Sequence, residues 1–304
     1  MQLSVSLIES SPNREIRQMP SVEENRALWG KDYSWSHQGD EWSAVWGGVE
    51  THWYATILPR IRRFLPARRI LEIAPGYGRW SIFLIDCAEE YIGVDLNAEC
   101  VSACQARFPA ACHARFVAND GKSLAAVDEG SIDFAFSFDS LVHAEIDIID
   151  AYLHELSRTL SPDGVAIIHH SNLGEYGKTT RNLSRLLSIP ARRLPLAEKM
   201  LRKSRLIDWE HWRAQSVSAR KVADLCSVTG LVCIGQEIID WGHESRRMVD
   251  CFSTLTRLGS KWERPNVVVR NPHFMAEAFS AHAISEVYAS LLPCEQQRVD
   301  EPTH

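Results

Sequence analysis

Two short segments of the 304-residue chain carry acidic and glycine residues at a spacing that suits a nucleoside ligand. In RRILEIAPGYGRW, Glu72 lies in an apolar run and is followed by Gly76 and Gly78. Glycine lacks a Cβ and tolerates positive φ, so a turn that contains it lets backbone N–H groups approach a ligand closely. In YIGVDLN, Asp95 ends a second run 23 residues after Glu72, where a carboxylate can accept both hydroxyls of a ribose.

The glycine turn lacks the pattern that binds a dinucleotide. It reads A-P-G-Y-G-R-W and has no small residue in place of the third glycine of G-x-G-x-x-G. A carboxylate at the end of the first strand would also repel pyrophosphate oxygens, so Glu72 suits a cationic ligand. These features disfavour an NAD-dependent oxidoreductase. A turn that only packs against its neighbours stays open as an alternative.

Four candidate catalytic residues lie near the ends of later apolar runs: Asp139, His143, His169 and His170. Imidazole suits the removal of a proton from a hydroxyl nucleophile. Because side chains alternate along a strand, only one of His169 and His170 can face a cleft. We predict His143 as the general base and the inward-facing one of the other two as the second candidate. A structural role for each histidine is the alternative.

Asp139 and His143 also have the ligand types that a divalent cation such as Mg²⁺ accepts. A second acidic residue is missing at the end of the fifth apolar run, where Asn172 offers the nearest polar oxygen. We therefore predict no metal site, and dependence on Mg²⁺ is the disfavoured alternative.

Short apolar runs alternate with helical stretches around these residues, which indicates βαβ units and a parallel sheet with helices on both faces. Two further strand candidates, LVCIGQEIIDW and DCFSTLTRL, bring the predicted sheet to seven strands. The fold class is therefore α/β, with a Rossmann-like doubly wound sheet. The five initial strands are predicted at 69–73, 91–95, 115–118, 132–138 and 165–169.

The predicted sheet divides the chain into three parts. Residues 1–47 form an N-terminal helical arm, and five of the ten tryptophans lie between Trp29 and Trp53. Residues 48–260 form the core domain, interrupted after the fifth strand by a helical lid at 174–216. Residues 261–304 form a tail with a loop from Pro265 onward and a helix around Met275 to Leu292.

Composition restricts the class of protein. A net charge of -6 offers no general attraction to nucleic acid. Eight scattered cysteines without a C-x-x-C pair indicate reduced thiols and a cytoplasmic location. Charges interrupt every apolar run before the length of a membrane span, and the N-terminus does not resemble a signal peptide.

The predicted lid is strongly basic. Nine basic residues and one acidic residue between Lys178 and Arg205 give it a net charge of +8. It suits an anionic acceptor, such as a phosphorylated or lipid-linked sugar, or peripheral contact with a membrane surface. A solvated pair of helices is the alternative.

Five ordered motifs resemble those of the class I S-adenosylmethionine-dependent methyltransferases: LEIAPGYG, YIGVDLN, FVANDG, SIDFAFSFDSLVHAE and LSPDGVAIIHHS. The resemblance covers about residues 48–260 and implies S-adenosylmethionine as the cofactor. Ala74 departs from it, because this family most often has a glycine there.

The resemblance implies a cofactor-binding role for ten positions. Glu72 would support the ammonium group and the turn glycines would line the methionine and sulfonium portion. Asp95 would bind the ribose, Asp120 would face the adenine amino group, and Phe138 with Asp139 would close the methionine side. A helix cap for Asp95 and a turn residue for Asp120 are the structural alternatives. The ten positions are Glu72, Ala74, Gly76, Gly78, Asp95, Leu96, Asn119, Asp120, Gly121 and Phe138.

We predict a methyltransferase that acts on a hydroxyl of a sugar or glycan. The segments HHSN and W-R-x-x-S-V-S resemble methyltransferases of polysaccharide and glycan biosynthesis. Trp209, His211, Trp212 and Arg213 suit a sugar ring, and packing of the tryptophans under the lid explains them equally well. The alternatives are methylation of a small natural-product hydroxyl or amine, and a non-catalytic nucleotide- or membrane-binding module. The expected partner is a glycan or small-molecule acceptor and not a nucleic acid, and the oligomeric state stays open.

Overall fold

The computed structural model describes residues 21–176, 213–241 and 248–289. Eight strands in these residues form one sheet: β1 Ala67–Ile73, β2 Ala88–Asp95, β3 Ala114–Ala118, β4 Ile132–Ser137, β5 Leu160–Ser171, β6 Leu231–Ile239, β7 Asp250–Arg257 and β8 Val267–Asn271. Their order across the sheet is β3-β2-β1-β4-β5-β7-β6-β8. β7 is antiparallel to β5 and β6, and the other pairs are parallel. The predicted Rossmann-like α/β fold is confirmed.

The sheet has eight strands, where the sequence predicted seven. The additional strand, β8, forms in the segment that was predicted as a loop after Pro265, and it pairs in parallel with β6. Its three valines are about half exposed, at 51–56 %, so the segment lacks the alternation of buried and exposed residues that marks a strand. The backbone of the edge strand β6 offers unpaired N–H and C=O groups, and β8 satisfies them.

Helices cover both faces of the sheet. They are α1 Val22–Ala27, α2 Val49–His52, α3 Leu58–Ile61, α4 Ser81–Leu84, α5 Ala98–Arg107, α6 Ile146–Thr159, α7 Ala219–Thr229 and α8 Phe274–Ala289. Short 3₁₀ or π turns lie at Leu28–Asp32, Asp40–Trp46, Trp53–Ile57, Arg62–Phe64, Ile85–Cys87, Leu141–His143 and Leu173–Glu175. Ser218 caps the first turn of α7 by accepting the Lys221 N–H at 3.4 Å, and Gly230 ends that helix at φ 81°.

Alternating side chains of the strands build two apolar layers. Ile70, Tyr91 and Phe134 pack on one face, and Leu71 and Ile92 pack on the other. The second layer also receives the apolar stripe of α6, whose buried residues recur every three or four positions.

The N-terminal arm and the tail helix share the first layer. Trp46 is 1 % exposed, and its ring lies 6.2 Å from the ring of Phe274 at the start of α8. The His282 Nδ1 atom lies 3.0 Å from the Ala44 carbonyl oxygen. The two ends of the described chain therefore cover the same side of the sheet.

The topology indicates where a ligand is expected to bind. The strand order reverses between β1 and β4, and crossovers from these two strands leave on opposite faces of the sheet. Ligands of open α/β sheets bind at the carboxyl ends of the strands at such a switch point. The turn after β1, the end of β2 and the segment after β4 all lie at this edge.

Most of the predicted basic lid, residues 177–212, lies outside the described residues, together with Trp209, His211 and Trp212. Arg213 lies within them. Within the described ranges, no helix combines the length and the apolar character needed to cross a membrane.

Candidate active site

The turn after β1 adopts a left-handed backbone at three positions. Ala74 and Gly76 have φ 58°, and Gly78 has φ 85°. The Gly76 N–H donates to Asp95 Oδ2 at 3.0 Å, and the Asn97 N–H donates to Asp95 Oδ1 at 2.8 Å. Asp95 is 5 % exposed, and burial raises its pKa to about 6 although these N–H donors oppose the shift. The Asp95 carboxyl group therefore joins the turn after β1 to the end of β2.

Glu72 lies beneath this turn and is 1 % exposed. Its Oε2 atom accepts hydrogen bonds from Ser81 Oγ at 2.7 Å and from the Tyr91 hydroxyl. Burial raises the pKa of Glu72 to about 7, although both hydroxyl donors favour its charged form. A cation that enters beside Glu72 would stabilise the ionised form of this carboxyl group.

The loop after β3 is held by side-chain bonds to backbone groups. The Asn119 amide nitrogen donates to the Ser123 carbonyl oxygen at 2.8 Å and to the Tyr152 hydroxyl at 3.1 Å. Asp120 Oδ1 accepts the Lys122 and Ser123 N–H groups at 2.9 and 2.7 Å. These donors lower the pKa of Asp120. Asp120 is exposed and stabilises the loop, while the Asn119 N–H donates to the backbone of β2.

Residues 22–46, the aromatic arm, cover this edge of the sheet. At the loop after β3, a Cβ built on Gly121 would lie 3.0 Å from both Leu96 and Val22. A Cβ built on Gly30 would lie 3.3 Å from Asn97 Oδ1. The arm therefore lies against the positions predicted to bind adenine and ribose.

The tryptophans of the aromatic arm cover the glycine turn. The Trp35 ring stacks on the Tyr77 ring at 4.6 Å and 10°, and a Cβ built on Gly76 would lie 3.0 Å from the same indole. The Trp29 ring lies 5.4 Å from the ring of His143, which ends the Leu141–His143 turn and is 8 % exposed. The sequence predicted only that these tryptophans lie in an N-terminal arm. The fold shows that the arm covers the glycine turn at the carboxyl edge of the sheet.

The segment after β4 joins several charged side chains. Asp139 has φ 61°, and its backbone N–H donates to His169 Nδ1 at 3.1 Å. Arg79 Nη2 lies 3.5 Å from Asp139 Oδ2, and Arg213 Nη2 lies 3.4 Å from Asp139 Oδ1. Phe138, 4 % exposed, packs beside them.

A buried carboxylate at the start of β7 completes this cluster. Asp250 is 0 % exposed and accepts hydrogen bonds from Arg213 Nε and Nη2 at 2.9–3.1 Å. His169 Nε2 lies 3.4 Å from Asp250 Oδ2. Burial would raise the pKa of Asp250, but the Arg213 charge and His169 outweigh it and hold the pKa well below its usual range.

The two adjacent histidines at the end of β5 face opposite sides, as strand alternation requires. His169 contacts Asp139 and Asp250, and its ring packs against Phe138 at 4.9 Å and Phe252 at 4.6 Å. His170 Nε2 lies 2.8 Å from Ser253 Oγ, and its Nδ1 lies 2.8 Å from a backbone carbonyl oxygen. Burial lowers the pKa of His170 to about 4. The inward-facing member of the pair is therefore His169.

The sequence reasoning missed Arg79, Asp250 and the role of the arm. Arg79 directly follows Gly78 in the glycine motif, so its position was a usable signal. Asp250 begins a strand 111 residues after Asp139, and no local pattern connects the two. Within the described residues, no group of three or more His, Cys, Asp or Glu side chains is arranged to hold a metal ion.

The residues at this edge fit S-adenosylmethionine. A buried carboxylate, Asp95, lies where a ribose is expected, and the buried Asn97 Oδ1 beside it has no hydrogen-bond partner among the described residues. A buried acceptor without a partner is costly and indicates that a ligand donor completes its bonding. The glycine turn and Glu72 lie next to this position.

Part of the chain matches a family model, and several solved structures are similar to the chain. Residues 70–164 match the family model of the methyltransferase domain. Among solved structures, the chain is similar to PH0226 from Pyrococcus horikoshii (16 % identity, TM-score 0.48, covering 76 % of this chain and 96 % of that one). It is also similar to a TehB-like SAM-dependent methyltransferase from Corynebacterium glutamicum (16 %, 0.42, 69 % and 88 %). A third similar structure is a SAM-dependent methyltransferase from Methanosarcina mazei (15 %, 0.47, 66 % and 97 %).

A comparison with curated proteins finds no match. The matched segment, residues 70–164, begins in β1 and ends in β5. It therefore includes the glycine turn, Asp95, the loop after β3 and the segment after β4. Residues 70–164 of the chain are therefore similar to a methyltransferase domain.

Proposed function

We propose that the chain methylates a hydroxyl group of a sugar or glycan. The observation that carries this proposal is the cluster of Asp139, Arg213 and Asp250 beside aromatic rings at the carboxyl edge of the sheet. The Arg213 guanidinium lies 5.1 Å from the Trp241 ring centroid, and Trp241 lies 6.2 Å from Phe138. Flat aromatic faces pack against the C–H groups of a sugar ring, and charged side chains hydrogen-bond its hydroxyls.

The reaction sets two tasks for the protein. S-adenosylmethionine supplies an electrophilic methyl group when it is bound. The chain must hold an acceptor oxygen in line with that group and take up the proton that the hydroxyl loses when the new O–C bond forms. Exclusion of water by the aromatic arm also favours transfer to the acceptor.

His143 is the proposed general base. The two nitrogens of His170 already lie at hydrogen-bonding distance from other groups on the far side of β5. The Nδ1 lone pair of His169 accepts the Asp139 N–H, so His169 could accept a proton there only after this bond opens. His143 lies beside the aromatic arm, where an acceptor would enter between the arm and the segment after β4.

The proposal is tested by a screen of neutral and anionic sugars, sugar nucleotides and amine-bearing natural products, with mass detection of an added methyl group. Methylation of sugar hydroxyls is the expected result. Methylation of amines alone, or of hydroxyls only on small non-sugar molecules, contradicts the proposal.

The base is tested separately with His143→Ala. We expect turnover to fall by about 100-fold or more while the dissociation constant for S-adenosylhomocysteine stays within about two-fold. His143→Gln, which keeps the polarity but cannot accept the proton at neutral pH, is the matched control for packing. An unchanged rate in both variants removes His143 from the mechanism.

A further inference from the structure

The segment after β4 turns at Asp139, whose backbone is left-handed at φ 61°. This conformation costs a residue with a Cβ about 1–2 kcal/mol, although aspartate adopts it more readily than most residues. Strained backbone of this kind clusters at functional sites and persists only where the surrounding contacts maintain it. The contacts of Asp139 therefore indicate which residues keep the segment in place.

The backbone of Asp139 is bound by His169, which lies on the neighbouring strand β5. The Asp139 N–H donates to His169 Nδ1 at 3.1 Å. Because a backbone N–H can only donate, Nδ1 is without a proton, and the proton of this ring lies on Nε2. Arg79 and Arg213 also contact Asp139, at 3.5 and 3.4 Å, but they contact its carboxylate and not its backbone.

Asp250 favours the same tautomer of His169. Both side chains are 0 % exposed, and His169 Nε2 lies 3.4 Å from Asp250 Oδ2. Although burial would raise the pKa of Asp250, the Arg213 charge and His169 hold it well below its usual range, so the carboxyl group is ionised. An ionised carboxylate can only accept a hydrogen bond, and it therefore stabilises the ring with the proton on Nε2.

The backbone of Asp139 also determines the position of the proposed base. Ser140 Oγ donates to the Ala74 carbonyl oxygen in the glycine turn at 3.1 Å, and the His143 N–H donates to the Ser140 carbonyl oxygen at 3.2 Å. A change of φ at Asp139 would move Ser140 and the turn that contains His143. The conformation of Asp139 therefore sets where His143 lies relative to the glycine turn.

We propose that His169 and Asp250 are positioning residues for His143. Asp250 fixes the tautomer of His169, and His169 in turn maintains the left-handed backbone of Asp139, which places His143 at the carboxyl edge. The inference rests on the proposed function, because it requires that His143 takes up the proton of the acceptor. His169 does not take up this proton itself, because its unprotonated nitrogen accepts the Asp139 N–H.

Two amide substitutions separate the two nitrogens of the His169 ring. The amide oxygen of His169→Asn lies near the position of Nδ1 and can still accept the Asp139 N–H. The longer side chain of His169→Gln brings its amide nitrogen near the position of Nε2, where it can donate to Asp250 but leaves the Asp139 N–H without an acceptor. His169→Phe removes both contacts and keeps a ring to pack against Phe138 and Phe252.

The three variants are compared in turnover with the methylated sugar from the screen, in S-adenosylhomocysteine binding and in urea unfolding. We expect His169→Gln and His169→Phe to lower kcat by about 10- to 100-fold, because a small displacement of a catalytic group has an effect of this size. His169→Asn should keep kcat within about three-fold, because it keeps the hydrogen bond to Asp139. A merely structural role of His169 would lower the free energy of unfolding without separating the asparagine and glutamine variants in kcat.

A double-mutant cycle tests whether His169 acts through His143. The loss of kcat caused by His169→Phe should disappear when His143→Ala is already present. A loss of the same size in both backgrounds, or equal kcat for the asparagine and glutamine variants, overturns the proposal and leaves the proposed function intact. An unchanged rate in His143→Ala alone refutes the proposed base and this proposal together.

NMR of protein labelled with ¹⁵N tests the geometry without an acceptor. We expect a coupling across the hydrogen bond between the Asp139 amide and His169 Nδ1, and a proton on Nε2 of the same ring. In Asp250→Asn, whose amide can turn its N–H toward Nε2, the fraction of His169 rings with the proton on Nδ1 should rise. If this variant or those of His169 do not fold, the wild-type spectrum decides, and a His169 ring with its proton on Nδ1 overturns the proposal.

Discussion

The contact between Gly76 and Trp35 predicts how much an alanine at position 76 destabilises the protein by displacing the aromatic arm. Gly76 has φ 58°, and a Cβ built there would lie 3.0 Å from Trp35 Cη2. Gly130 is a matched control, because it has φ 60° and no described atom lies within 4 Å of a Cβ built on it. Substitution by alanine therefore has the same backbone cost at both sites but a steric cost at one only.

The magnitudes follow from these contacts. A left-handed alanine costs about 1–2 kcal/mol, which is the full expected effect of Gly130→Ala on the free energy of unfolding. Gly76→Ala must also displace Trp35, which stacks on Tyr77 and donates Nε1–H to the Trp29 carbonyl oxygen at 3.0 Å. The loss of one ring stack and one hydrogen bond adds about 1–2 kcal/mol. Gly76→Ala should therefore destabilise the protein by about 2–4 kcal/mol.

Urea unfolding of the two variants, each also made in a Trp35→Phe background, measures this difference. Phenylalanine removes the indole atoms closest to position 76, so in that background Gly76→Ala should cost no more than Gly130→Ala. Gly76→Ala should also weaken S-adenosylhomocysteine binding, whereas Gly130→Ala should not. Equal destabilisation of the two variants in the wild-type background, or a cost of Gly76→Ala that Trp35→Phe leaves unchanged, refutes the reasoning.

Three further predictions concern ionisable groups. Asp250→Asn should destabilise the protein by about 3–5 kcal/mol at pH 7, because it leaves the Arg213 charge buried without its partner. The pKa of Asp250 is lower in the folded than in the unfolded chain, so its contribution to stability is present above about pH 4 and is lost as the pH falls. The free energy of unfolding should therefore depend less on pH in the acid range for this variant than for the wild type. Burial raises the pKa of Glu72 to about 7, so the contribution of this group to the free energy of unfolding falls as the pH rises from about 4 to 7. Binding of an ammonium-bearing ligand at about pH 6.5 should make Glu72 release a proton, which calorimetry in two buffers with different ionisation enthalpies detects. Proton release that persists in Glu72→Gln would assign the proton to another group. Iodoacetamide should modify the exposed Cys112 before the buried Cys104, whose pKa is raised by burial, as peptide mass analysis would show; the reverse order contradicts the described burial.

The prediction of the fold succeeded where the pattern was local. The carboxyl halves of β1, β2 and β5 and nearly all of β4 are buried, so each appears in the sequence as a short apolar run, and helical stretches separate β1 from β2, β2 from β3 and β4 from β5. β8 lies exposed at the edge and carries no such pattern, because its partner β6 and not its own side chains makes it a strand. The seven-strand prediction was one strand short for this reason.

The proximity of Glu72, Gly76 and Asp95 was predictable because one turn and one strand end hold them. The spacing of Glu72, Gly76 and Asp95 places them at adjacent strand ends once the sheet is parallel, and the structure joins Gly76 to Asp95 by a hydrogen bond at 3.0 Å. Their assignment to groups of the cofactor stays a prediction. So does the choice of His143 as the base, although the structure does decide which of the two adjacent histidines faces inward.

The sequence by itself determined the parallel α/β core, the left-handed glycine turn and the acidic strand ends, because each depends on residues within a few positions of one another. Only the tertiary structure decided which distant side chains meet at the carboxyl edge. β7 inserts antiparallel between β5 and β6 and brings Asp250 to His169 and Arg213, and the aromatic arm folds back over the turn and stacks Trp35 on Tyr77. The physical reason is that such contacts depend on strand order and on burial of charged groups, which emerge only when the whole sheet is assembled.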